Sequence, residues 1–168
     1  MKLNSDLTIN GKLHRAGDEI SWTAVYPFFL FHMALFGGSG FFMAYHENSA
    51  PLGFLYMHGG FAIAVYLVFY LAIFGKEEVK WMAINAALGV FGIYSQIDWL
   101  LSIFGKTAGS YPWYVHVIPF LYYVLYTFLL WQAVLDVTGA RADESKRKVV
   151  ERSYVGISLG VYAAFHFL

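Results

Sequence analysis

Five hydrophobic stretches take up most of this chain: Ile20–Tyr45, Leu52–Phe74, Val79–Phe104, Tyr111–Val137 and Ser153–Leu168. Each of the first four exceeds the ~20 residues that carry a helix across ~30 Å of hydrocarbon. The basic residues between them are sorted by side. With the N-terminus inside, Lys2, Lys12, Arg15, Lys76, Lys80, Arg141, Lys146, Arg147, Lys148 and Arg152 all face the cytoplasm. Of the 11 Lys and Arg residues, only Lys106 lies outside. This asymmetry orients the spans. The tryptophans agree with it. Trp22, Trp81 and Trp131 fall at inner ends and Trp99 and Trp113 at outer ends, where an indole sits half in lipid with its N–H in water.

These features predict an all-α integral membrane protein, a bundle of four transmembrane helices with a short fifth helix at the C-terminus. Residues 1–19 form a cytoplasmic segment and 20–168 a single transmembrane domain. The 168 residues are 59% hydrophobic and 13% charged, a balance foreign to soluble domains. The formal net charge is zero, which argues against a nucleic-acid partner. With no cysteine in the chain, disulfides, thiolate metal sites and Fe–S clusters are excluded. The first hydrophobic run starts too late and runs too long for a cleaved signal peptide. The charge asymmetry points to a bacterial inner membrane.

Local patterns refine this outline. Asn10-Gly11, flanked by alternating apolar residues, predicts a hairpin that needs support from the helix ends or a partner. In the first span Met33, Gly37, Gly40 and Ala44 share one face, and the short connection to Pro51 makes the first two spans antiparallel neighbours. Gly75–Glu78 is a tight inner turn. The third span carries Asn85, Gly89, Gly92 and Gln96 on one face, suited to a helix contact. The residues from Thr138 to Arg152 read as a solvated loop. Beyond it, Gly156, Gly160 and Ala164 form a small-residue edge on a fifth helix only ~24 Å long.

Titratable side chains at membrane depth point to function by default. Counting helix rise from the span midpoints, His58 lies about 7 Å, Asp98 about 10 Å and His116 about 9 Å outward of centre. His46, Glu47 and His166 fall at or near the same outer side, and His32 near the midplane. Two chemistries suit such a layer. A b-type haem needs two imidazoles at equal depth, here His58 and His116, with room beside Gly59 and Gly60 and packing from Phe120, Tyr122, Tyr123 and Tyr126. Alternatively, His58, Asp98 and His116, with His46 or Glu47, offer mixed nitrogen and oxygen ligands to zinc, copper or iron. Pro119 is expected to bend the fourth span beside His116.

Plainer readings stand beside these. Histidines near helix ends also serve as interfacial side chains reaching to water. Asp98 is equally suited to bonding a neighbour or the outer interface, and it points ~200° away from Gln96. His32 with Ser39 suggests a helix–helix hydrogen bond, and Lys146–Lys148 a contact with anionic headgroups. No zincin, diiron, P-loop or hydrolase signature is present. The expectation is a small subunit of a membrane redox complex, working in electron transport with other membrane subunits around it. The alternatives are a cofactor-free accessory or assembly subunit, or a small proton- or cation-coupled transporter.

Overall fold

The computed structural model describes residues 1–9, 11–46 and 50–167, and for positions 9, 24, 91, 165 and 166 the backbone alone. These residues are mostly helical and form two compact units, Met1–Met82 and Ala83–Leu168. Among them, three helical runs are long and apolar enough to cross a membrane: Val25–Tyr45, Leu52–Phe74 and Trp113–Val137.

In the first unit, strands β1 (Leu7–Ile9) and β2 (Lys12–His14) pair antiparallel, with Ile9 opposite Lys12. Asn10, half of the expected turn pair, lies outside the described residues; Gly11 takes φ +76°, the left-handed conformation that glycine adopts freely. The segment just before the hairpin leans on a helix end. Asn4 donates from its backbone to the Ala72 carbonyl at 2.8 Å and from Nδ2 to the Ile73 carbonyl at 2.8 Å. These are last-turn carbonyls of helix α2 (Leu52–Phe74), which have no partner within their own helix. Gly75, at φ +85°, then breaks the chain direction, and a Cβ there would lie 2.8 Å from Asn4 Oδ1. A single turn, α3 (Lys76–Val79), follows.

Helix α1 (Trp22–Tyr45) packs on α2 as expected. Met33, Gly40 and Ala44 are buried and Gly37 half-buried. The seam is aromatic: Phe29 meets Tyr70 at 5.6 Å and Tyr66 at 6.1 Å, and Tyr26 stacks on Phe74 at 6.3 Å. Tyr70 donates its hydroxyl to Met33 Sδ at 3.1 Å, which gives a buried O–H an acceptor.

The second unit holds nearly all of helix α4 (Trp81–Ser102), then α5 (Val117–Val137) and α6 (Glu144–Phe167). α4 is less apolar than α1, α2 or α5, because it carries Asn85, Gln96 and Asp98. Its small and polar face makes the helix contact read from the sequence. A Cβ on Gly89 would stand 3.0 Å from the Tyr123 ring, and one on Gly92 would overlap the ring of Tyr162. Asn85, 2% exposed, accepts from the Tyr154 hydroxyl at 3.1 Å. Tyr123 and Tyr162 share a short hydroxyl–hydroxyl hydrogen bond.

Three expectations are corrected here. The last helix starts at Glu144, nine residues before the apolar run, so Thr138–Arg152 is not a loop throughout. Asp143 caps it, its Oδ1 accepting from the backbone of Ser145 at 3.0 Å and Lys146 at 3.1 Å. Glu144–Lys148 and Arg147–Glu151 then brace the charged turns at four-residue spacing. Pro119 bends nothing. It lies in the first turn of α5, just after a 3-10 turn at Trp113–His116, where a missing N–H costs no helical bond. Trp131 is no interfacial indole, being 0% exposed against Tyr154 at 4.9 Å. At the end of α5, Arg141 folds back so that Nε donates to Asp136 Oδ1 at 2.5 Å and Nη2 to the buried Gln132 Oε1 at 2.8 Å.

Candidate functional site

Antiparallel packing of α1 on α2 creates a cavity of about 240 Å³ within the first unit. Phe28, Phe29 and Phe36 line it from α1, and Phe61, Ala62, Val65, Tyr66 and Phe69 from α2. Two imidazoles, His32 and His58, complete the wall. Each set follows helical spacing, so one face of each helix supplies it. Phe61 is 74% and Phe28 53% exposed, so the cavity opens on the outward side of the helix pair.

The two histidines are held differently. His32 Nδ1 lies 2.8 Å from the Phe28 carbonyl one turn back, with its ring against Phe28 at 4.1 Å and Phe31 at 5.6 Å. His58 sits between Phe36 at 5.9 Å and Phe54 at 6.0 Å, and its Nδ1 is enclosed with no hydrogen-bond partner. Gly60 beside it faces open space.

The sequence does not bring these two histidines to one cavity. By depth His32 stands near the midplane and His58 further out, and the heptad spacing of His32 and Ser39 on one helix suggests a hydrogen bond from that face to a neighbouring helix. Ser39 instead donates to its own helix, to the Phe36 carbonyl at 2.8 Å. The signal lay in the short connection between the helices. An antiparallel hairpin sets Phe36 opposite His58, and His32 is one turn, about 5.4 Å, along the same face from Phe36.

The remaining site residues are spread out. His46 ends α1, exposed, with its ring on Phe42 at 4.4 Å. Glu47 lies outside the described residues. Asp98 and His116 belong to the second unit. Asp98 Oδ1 accepts the backbone N–H of Ala108 at 2.6 Å, tying down the 3-10 turn Ala108–Ser110 that leads towards α5. His116 ends the next 3-10 turn and meets Tyr94 edge-on at 6.1 Å, one helical turn from Asp98 on α4. Among the described residues no three His, Asp or Glu side chains gather as a metal site. Of the tyrosines expected on a macrocycle, Tyr123 is engaged by Tyr162 and Gln96, Tyr122 is buried and Tyr126 is exposed.

No protein-family model matches the chain, and neither a curated protein nor a solved structure matches it.

Proposed function

We propose that this chain is a small polytopic membrane protein, N-terminus cytoplasmic, that holds a lipid-soluble ring compound between α1 and α2 as a subunit of a membrane redox complex. The observation that carries the reading is the aromatic cavity walled by His32 and His58. Aromatic side chains favour ring ligands through offset and edge-on packing, and a few polar groups among them set orientation. Size supports one ring: an apolar cavity of about 150 Å³ takes up benzene, so about 240 Å³ suits a substituted ring. A lateral opening lets such a molecule enter from the bilayer.

Insertion in the membrane is supported by what the helices leave outside. Phe31 is 62%, Met57 65% and Val68 64% exposed, a surface that water would penalise and lipid would not. With α4 counted as a further span, the inner side carries ten of the 11 Lys and Arg residues, and Asp98 stands near the outer end of α4. The reading retains the redox role expected from the sequence but moves its centre from the His58, Asp98 and His116 layer to His58 and His32.

The test is to plug the opening. Val65 lines the cavity and is partly exposed, so Val65→Trp fills the mouth at little cost to the core. Solvent extraction of the gently purified wild type should release a single-ring compound that the variant lacks. An optical spectrum taken before and after dithionite runs alongside. Equal ring content in both proteins, or a Soret band with reduced α and β bands in the wild type, would sink the proposal.

A further inference from the structure

We infer that the ring bound between α1 and α2 carries a free hydroxyl, that is, it belongs to the phenol and hydroquinone class, and that His32 accepts its proton in a hydrogen bond. The inference rests on the ring-binding reading above and adds the polarity of the ligand to it.

His32 supplies the argument. The group 2.8 Å from its Nδ1 is the Phe28 carbonyl oxygen, which can only accept. Nδ1 therefore carries the hydrogen, and in the neutral imidazole Nε2 is left with a lone pair. The nitrogen that His32 keeps for a ligand is an acceptor, and it calls for a donor. A ketone or quinone oxygen has no hydrogen to offer it; a hydroxyl does.

His58 contributes its ring to the wall. Its Nδ1 is enclosed and lacks a hydrogen-bond partner, a state that costs free energy whether that atom bears a hydrogen or a lone pair. That atom is closed off from the cavity, so it sets no preference between a hydroxyl and a carbonyl on the ligand. The preference for a hydroxyl therefore rests on His32. The rest of the wall, Phe28, Phe61, Val65 and Phe69 among it, gives a substituted ring and its tail only apolar contact. An aliphatic alcohol would satisfy the His32 nitrogen but leave the aromatic faces unused, and a charged ligand would find no counter-ion in the lining.

The experiment measures binding by calorimetry to the full chain in lipid nanodiscs, with empty discs subtracted. The three probes are trimethylhydroquinone under argon, trimethylbenzoquinone, and the dimethyl ether of the hydroquinone. The hydroquinone is expected to bind about tenfold tighter than the ether, the worth of one net hydrogen bond. His32→Phe, which keeps a ring in the wall, should bring the two within about threefold. Ether and hydroquinone binding alike in the wild type would overturn the hydroxyl inference while leaving the ring site standing. Quinone binding more tightly than hydroquinone would overturn it as well, since the site would then be a donor. No binding by any probe would overturn the ring site itself. If His32→Phe does not fold, the wild-type ratios decide.

Discussion

Asp98 shows how one contact changes the meaning of a residue. A carboxylate in a hydrophobic span invites a ligand or relay role, but its Oδ1 is spent on the backbone N–H of Ala108 at 2.6 Å. That bond does for the 3-10 turn what a capping side chain does for a helix. An amide oxygen accepts as a carboxylate does, so Asp98→Asn should leave thermal stability within about 0.5 kcal/mol, while Asp98→Ala should cost about 1–2 kcal/mol. Unfolding in mixed micelles measures both. Asn as damaging as Ala would show that the charge matters, and would restore the relay or metal reading.

Elements are held to one another by shape as much as by polarity, and the glycines separate the two kinds of helix face. Gly92 of α4 is a notch for the Tyr162 ring of α6, and a methyl group cannot enter without moving that ring or the helix. Gly160 of α6 has nothing within 4 Å of where its Cβ would be. Gly92→Ala should therefore destabilise the protein by about 1–3 kcal/mol through overpacking. Gly160→Ala should be neutral or stabilising by up to about 1 kcal/mol, since alanine is the better helix former. The same micelle unfolding ranks them, and equal effects would mean that Tyr162 does not fill the notch. Hydropathy alone could not show that α6 starts at Glu144, because its first two turns are charged and outside any apolar window. The Asp143 cap and the paired charges at four-residue spacing were the available signal.

On the scale of the whole molecule, orientation is the testable property. The chain has no native cysteine, so single cysteines can be introduced without background. Ser110→Cys, before α5, should react with an impermeant maleimide added to intact cells, and Ser145→Cys, at the start of α6, only after lysis. The reverse pattern would invert the topology, and labelling of both from outside would remove α5 as a span. The expectation follows from the side on which Lys and Arg accumulate.

Among the described residues α4, expected as a fourth span, is not one of the helices apolar enough to cross a membrane. The three long apolar helices α1, α2 and α5, the hairpin at Gly11, the antiparallel first pair and the small face of α4 were readable in the residues. Each rests on a local rule: hydrocarbon thickness, glycine's access to positive φ, a short connection, or side chains too small to keep helices apart. That His32 shares a cavity with His58 was not readable. Counting depth along separate spans treats each helix as an independent rod, while the wall of a cavity depends on which faces meet and on their register. That register brought His32, one turn from Phe36, into the cavity of His58. It also buried Trp131, which lies where an interfacial indole was expected, under Tyr154. Local sequence decides how far a helix runs, but the packing of one helix on another decides which of its side chains share a space.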